Sequence, residues 1–494
     1  MKKLILAAFV IVTVSSMFLW YSHSVSAASP VFFLKMQGLS PVWGLSEPLS
    51  FDQLVAANPL YVFSNPFQEV ARLTPARIQD IHSALPQTKV VLHLLCCTMF
   101  NPRELDTSVI IVHAALQNTQ AEFDNAWVKY QKSFMKNKVG GYVYYKIQKT
   151  INYWTNEGDG YLMDPASSFY QDFLYNKIKY HITIGGFDGA YLDLMYPNFM
   201  RAFYYSVPMV NGNNITDEQW RNKLISLSRY LQNRKQSDPN LKMRNALIIT
   251  NSVGGYPSNG PDPIDRVQFN RDLQTQGIQI ENPFMDYRTL STTAWLSTVN
   301  RIRDITALRD NRMKGWLNFH SPKWVGDQAE CDRHGLYAYS SYLLGNQSPR
   351  FAFYFQCRIA PGNLQEPTQN LTHIRLGPAL GQYQQVSSSL YLRKYKRGIV
   401  LVNPTAGQST YRPDVNLKDA YSNTVYPKNI IITLPPYTGM VFLRDFSVPT
   451  ATPTPASSLQ CRASCTAPNY WKTPREECGH TTAGATKYWC YIAG

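Results

Sequence analysis

The sequence predicts an α/β fold: a (β/α)8 TIM barrel, followed by a small antiparallel β-sandwich domain and a cysteine-rich C-terminal module. Three observations predict it. Strand-like apolar runs alternate with helix-like segments over most of the chain, the pattern of βα units on a parallel sheet. Short β runs separated by Pro, Gly and Asn turns follow between Leu390 and Arg444. A Pro/Thr stretch, Ser447–Ser458, then leads to a terminus crowded with Cys461, Cys465, Cys478 and Cys490.

At the start of the chain, Lys2 and Lys3 precede a mostly apolar run from Leu4 to Trp20, and Val25-Ser26-Ala27 has the small residues of an export cleavage site. Residues 1–27 therefore read as a signal peptide, and the mature protein as secreted or held at the cell surface. The same run could instead stay as an anchor; no other stretch is long and apolar enough to span a bilayer. The expected partition continues with the barrel over 28–372, the β domain over 373–446, the linker over 447–458 and a disulfide-stapled module over 459–494. Cys-x-x-Cys spacing is absent there, which favours disulfides over zinc. Cys331 and Cys357 are candidates for a further bridge that the sequence leaves open.

Eight segments read as barrel strands: Val31–Gln37, Leu60–Ser64, Lys89–Cys96, Gly189–Met195, Ala246–Ser252, Gly277–Asn282, Lys314–His320 and Arg350–Gln356. Eight is the number that closes such a barrel. The intervening helices carry clearer marks. Thr216-Asp-Glu-Gln219 is a capping box, followed by Trp220, Leu224, Leu227 and Leu231 at helical spacing. Trp295, Val299, Ile302 and Ile305 repeat the pattern, and Tyr339, Leu343 and Leu344 do so more weakly. A long excursion, about Thr98 to His181, lies between the third and fourth strands and holds the aromatic segment Tyr142–Trp154. Insertions on that side of a barrel shape the active-site mouth.

The chain of 494 residues has a globular composition, with 32 Tyr and 10 Trp that can serve as flat platforms for sugars as well as ordinary core. The formal charge of +15 comes without a basic block, zinc-finger spacing or RNA-binding aromatic motif, which argues against nucleic acid. It fits an acidic polymer or anionic surface, and equally a charge that keeps the protein soluble.

The chemistry centres on Gly186-Phe-Asp-Gly-Ala-Tyr-Leu-Asp-Leu-Met195, a buried strand that carries an acid. Asp188 sits at the entrance, where a turn carboxylate is ordinary. Asp193 sits near the C-terminal end, where barrel enzymes keep their catalytic side chains. Strand alternation pairs Tyr191 with Asp193 and groups Leu247, Ile249 and Asn251. It also pairs Gln279 with Glu281, away from the apolar Ile278 and Ile280, and separates His93 from Val90, Leu92 and Leu94. Asp193, Asn251, Glu281 and Asn318 thus end apolar strands in polar groups. Each alone is better explained by the loop that follows. His93 and His320 read as packing or hydrogen-bonding residues, and Asp164 as a turn or cap. Two carboxyls on two strands are a sharper sign, because glycoside cleavage needs one at the leaving oxygen and one at the anomeric centre. No clustered third and fourth ligand accompanies them, so no metal and no cofactor is expected.

With Trp154, Leu162-Met-Asp-Pro165, Phe187–Asp193, Ile280-Glu-Asn-Pro283, Tyr339–Leu344, Leu376-Gly-Pro, Tyr391-Leu-Arg393, Gly398–Thr405 and Leu434–Gly439 in this order, the chain resembles a glycoside-hydrolase-like family. That family consists of (β/α)8 barrels with a C-terminal β domain, known mainly from bacterial genome sequences. The resemblance runs from about Val31 to Arg444, and the excursion after the third strand departs from it. It implies Asp193 as nucleophile and Glu281 as acid/base. Trp154, Tyr191, Asn251 and Asn318 are the substrate-binding candidates of this reading. The expected activity is cleavage of an extracellular or envelope polysaccharide, a carbohydrate polymer for which an acidic one is a candidate. The terminal module would contact a cell surface or glycan. The competing reading is a catalytically inactive barrel that binds glycan; a metal-dependent deacetylase lacks its Asp/His cluster.

Overall fold

Seven short strands run parallel in one curled sheet: β1 (Val31–Leu34), β2 (Tyr61–Phe63), β3 (Lys89–Leu95), β4 (Gly189–Asp193), β5 (Leu247–Asn251), β6 (Gly277–Gln279) and β7 (Ala352–Phe353). The computed structural model describes residues 31–34, 55, 61–63, 74–99, 128, 131–143, 161–201, 204–253, 265–280, 284, 288, 290–308, 326–348, 351–353, 355, 357–360, 363–365, 371, 374–444, 476–477 and 489–490. The strand order is β6-β5-β4-β3-β2-β1-β7, so the last of these seven strands returns to pair with the first. The expected strand Lys314–His320 lies outside the described residues, as do the segment 1–27, the linker 447–458 and Cys461, Cys465 and Cys478.

The alternation of faces follows the sequence pattern. Val90, Leu92, Leu94, Ala190, Leu192 and Ile248 belong to one apolar core with residues of the surrounding helices, and Ile278 and Ile280 belong to a second. Their neighbours along each strand face the other way. Adjacent strands approach closely where β4 meets β5: a Cβ on Gly189 would lie 2.3 Å from the Leu247 carbonyl oxygen, so only glycine fits.

The helices form where caps and periodicity coincide. In α1 (Pro75–Ala84), Pro follows the Thr74 cap. In α3 (Asp217–Ser237), which follows α2 (Ser168–Thr183), the Thr216–Gln219 capping box is closed on both sides. Trp220, Leu224, Leu227 and Leu231 are all buried on the inner face of α3; each such side chain contributes roughly 1.5–3 kcal/mol. Side chains cap α4 (Arg266–Leu273), α5 (Thr292–Thr306) and α6 (Gln328–Gly345) from Asp265, Ser291 and Asp327. At the entrance to β4, Asp188 accepts from the Val90 N–H at 2.8 Å and pairs with His82 at 2.7 Å and Lys89 at 3.3 Å. This ties β3, β4 and α1 together at the end of the sheet opposite Asp193.

The chain then builds a six-stranded antiparallel sheet: β8 (Gln384–Ser387), β9 (Leu390–Tyr395), β10 (Gly398–Asn403), β11 (Leu417–Asp419), β12 (Val425–Tyr426) and β13 (Thr438–Leu443). Its order is β8-β9-β10-β13-β11-β12. Period-2 alternation gives it two apolar faces. Leu390, Leu392, Ile399, Leu401 and Phe442 pack with Ile432 and Leu434 of a two-stranded ribbon, Ser409–Tyr411 with Ile432–Leu434. Tyr391, Tyr395, Val400, Val402 and Val441 share a core with Trp295 of α5, Tyr339 and Tyr342 of α6 and Phe353 of β7. Between them Arg393, fully buried, donates to the carbonyls of Leu343, Leu344 and Asn346 at the end of α6.

Cys331 of α6 and Cys357 face each other with Cα atoms 5.7 Å apart, within disulfide reach, and the adjacent Cys96 and Cys97 have Cα atoms 3.8 Å apart. Residues Met1–Arg444 form one compact unit and Asp445–Gly494 another, in which Glu476–Glu477 pairs antiparallel with Trp489–Cys490. Among the described residues no helix is long and apolar enough to cross a membrane.

Candidate active site

Asp193 closes β4, and the chain turns sharply immediately after it. Leu194 adopts φ +62°, a left-handed conformation that a branched side chain rarely takes. The turn aims the Leu194 N–H back at Asp193 Oδ1, at 2.7 Å. A non-glycine residue held there costs on the order of 1–3 kcal/mol, and such outliers cluster at functional sites.

Neighbouring strands complete the setting. From β5, Asn251 donates through Nδ2 to Asp193 Oδ1 at 2.8 Å and to Tyr196 Oη at 2.9 Å. From β3, His93 stands opposite Tyr191 in register, with ring centroids 4.8 Å apart, and its Nε2 lies 3.2 Å from Asp193 Oδ2. Tyr191 Oη hydrogen-bonds Gln279 Oε1 of β6 and lies 3.4 Å from Asp193 Oδ1. Four consecutive strands thus bring polar groups to one point at their C-terminal ends. The Asp193 side chain keeps 21% of its surface exposed and His93 keeps 15%, so the carboxylate is reachable yet sheltered.

The electrostatics follow from these contacts. Burial pushes the Asp193 carboxyl up, but the hydrogen bond and charge of His93, with the bonds from Asn251 and the Leu194 N–H, more than offset it. The group sits below the ordinary carboxylate range. Such a carboxylate stays ionised at neutral pH and is suited to stabilising, or attacking, a developing positive centre.

Of the residues singled out from sequence, Asp193, Tyr191 and Asn251 come together here. Tyr191 and Asn251 are buried, with polar ends directed at Gln279, Tyr196 and Asp193 itself. Glu281, Trp154 and Asn318 lie outside the described residues. Asp164 accepts from the Ala166 N–H and pairs with Lys223 at 2.7 Å, a turn residue tied to α3. His93, Gln279 and Tyr196 are the members that the sequence reading did not assign to the site. For His93 and Gln279 the signal was present: each is a polar residue of inward parity in an otherwise apolar strand. Among the described residues no group of three or more His, Cys, Asp or Glu could hold a metal ion.

No protein-family model matches the chain, and no curated protein matches it. Solved structures resemble it at low identity. Amy13B of Eubacterium rectale is 11% identical with a TM-score of 0.46, over 84% of this chain and 94% of that one. The noncanonic maltogenic α-amylase AmyB of Thermotoga neapolitana is 10% identical with a TM-score of 0.43, over 80% of this chain and 92% of that one. The cycloalternan-degrading enzyme of Trueperella pyogenes is 12% identical with a TM-score of 0.38, over 75% of this chain and 51% of that one. This chain thus spans about half the length of that last enzyme.

Proposed function

We propose that the chain is an exported glycoside hydrolase that cleaves an extracellular or envelope polysaccharide with retention, using Asp193 and Glu281. In this reading the expected strand Lys314–His320 stands between β6 and β7 and closes a (β/α)8 barrel. The mature protein is secreted or surface-held, and the cysteine module touches the cell surface or glycan. The net charge of +15 is compatible with an acidic polymer.

One observation carries the reading. A sheltered carboxylate at the C-terminal end of β4 is held ionised by donors from β3, β5 and its own turn. In the proposed mechanism an Asp193 oxygen attacks the anomeric carbon while Glu281 gives its proton to the departing oxygen. Glu281 then takes a proton from the water that releases the sugar. Gln279, which precedes Glu281 by two residues, meets Tyr191, and alternation assigns Glu281 to the same face. Trp154 and Asn318 would contact the sugar, and Tyr191 and Asn251 would contribute by holding the nucleophile.

Turnover of a panel of aryl glycosides and polysaccharides tests this. Asp193→Asn should abolish it, since an amide is no nucleophile, and Glu281→Gln should spare release of leaving groups that need no proton. The two carboxyls should lie about 5–5.5 Å apart, against about 6.5–9.5 Å for an inverting pair. Wild-type-like turnover in Asp193→Asn would refute the mechanism. Glycan binding without any turnover would establish the inactive, glycan-binding barrel instead.

A further inference from the structure

The two oxygens of Asp193 are not equivalent. Oδ1 accepts from Asn251 Nδ2 at 2.8 Å and from the Leu194 N–H at 2.7 Å, with Tyr191 Oη at 3.4 Å. Oδ2 meets His93 Nε2 at 3.2 Å. A carboxylate oxygen that accepts two short bonds must give up at least one of them to form a covalent bond, whereas one that accepts a single longer bond gives up little.

We infer that Oδ2 of Asp193 is the reacting oxygen and that His93 is its positioning residue. The inference rests on the nucleophilic reading of Asp193 and adds which atom reacts and what aims it. A lone pair of Oδ2 forms the bond to the anomeric carbon. The bond from that carbon to the leaving oxygen breaks, its electron pair passing to that oxygen, which takes the proton of Glu281. Oδ1 keeps the Asn251 and Leu194 bonds throughout, so the carboxyl plane stays fixed while the ester forms. The His93–Oδ2 bond weakens in step, because an ester oxygen is a poorer acceptor than a carboxylate.

The placement of His93 suits this task. Its ring lies against Tyr191, whose hydroxyl is in turn held by Gln279, so the imidazole is braced from β4. Donation from Nε2 requires the proton on that nitrogen, in the neutral ring or the cation. The titratable groups facing Asp193 among the described residues are His93 from β3, Tyr191 from β4 and Tyr196 through Asn251. Asn251 from β5 and Gln279 from β6 are uncharged. Loss of His93 therefore removes the one donor to Oδ2 among the described residues that can also carry charge, and the carboxyl should titrate higher.

Three variants of the full-length protein test the inference: His93→Gln, which keeps an N–H near the Nε2 position, and His93→Phe and His93→Ala, which do not. His93→Phe should lower kcat/KM by about 10- to 100-fold, the scale of one hydrogen bond to a charged group. Its acid limb should move toward neutral pH, and His93→Gln should recover most of the rate. A substrate-free readout is the pH midpoint of carbodiimide labelling at Asp193, located by peptide mass spectrometry. That midpoint should rise in His93→Phe, or in His93→Ala if the larger ring prevents folding, and rise less in His93→Gln, which restores the hydrogen bond but not the charge. A midpoint unmoved in folded His93→Ala, or an unmoved acid limb with a normal rate, would overturn the inference. Failure of the nucleophile reading shows separately, as turnover that survives Asp193→Asn, and the labelling midpoint still decides whether His93 holds the carboxylate.

Discussion

Replacing Arg393 with Met should destabilise the compact unit by about 3 kcal/mol. The last carbonyls of a helix have no partner within it. At the end of α6 those of Leu343 and Leu344 accept from Arg393 Nη1 at 2.8 and 3.0 Å, and that of Asn346 at 2.6 Å. The same guanidinium donates to the Gly381 carbonyl at 3.0 Å and to Gln347 Oε1 at 3.2 Å. With Arg393 only 1% exposed, water cannot replace these bonds without opening the interface. The Leu343 carbonyl keeps the Tyr395 hydroxyl at 2.6 Å, so the carbonyls that lose their donor are those of Leu344, Asn346 and Gly381. At about 2 kcal/mol each, plus up to about 1 kcal/mol from the helix dipole, they set the gross loss near 7 kcal/mol. Against this, the variant no longer buries a cation, which spares several kcal/mol, taken here as about 4. The assay is urea unfolding followed by tryptophan fluorescence, since Trp295 packs 4.8 Å from Tyr391 on the strand that carries Arg393. The midpoint should fall with the slope unchanged. Arg393→Lys should recover less than half, because an ammonium cannot span the fan of carbonyls that a guanidinium reaches. A loss under 1 kcal/mol for Arg393→Met, or full recovery with Lys, would refute the idea that this guanidinium joins α6 to the β domain.

Other outcomes follow from features of the sheet. Because the Asp193 carboxyl is held below its ordinary range, its contribution to stability is full above the unfolded value near 3.9 and is lost as pH falls through the folded value. Asp193→Asn should therefore show a shallower loss of stability than wild type on acidification below about pH 4, measured by urea midpoints at several pH values. Gly189→Ala, whose Cβ would meet the Leu247 carbonyl oxygen at 2.3 Å, should push β4 and β5 apart. A destabilisation of about 1–3 kcal/mol and lower activity should follow, read by the same unfolding assay and by turnover.

The parts of the fold legible in the sequence are those governed by short-range rules. The capping box at Thr216 and the spacing of Trp220, Leu224, Leu227 and Leu231 are local, and the helix forms where they coincide. The alternation that put Tyr191 and Asp193 on one face is equally local. What alternation cannot supply is which partner a side chain meets across strands. His93 reads as a packing or hydrogen-bonding residue, and only the register with β4 shows that its hydrogen bond goes to Asp193. Tyr196 lies in a loop with no period to read, and it reaches the site only through Asn251. The left-handed turn at Leu194 was likewise invisible, since nothing about a leucine announces positive φ. Leu390–Tyr395 and Gly398–Asn403 emerge as strands with the limits read from sequence, because turn residues bound them tightly.

The pairing of Val31 with Ala352 and Phe32 with Phe353 has a bearing on how the protein is made. The first strand of this sheet to be made waits for one of the last before its second edge is satisfied. Until then it offers a row of unpaired amides and carbonyls to any strand that passes. Closure of so distant a contact is slow, and the half-built sheet is the species most exposed to misassociation. A chain ordered in this way benefits from a holding factor, or from delayed collapse, during synthesis. The seam between β1 and β7 is where its biogenesis is most vulnerable.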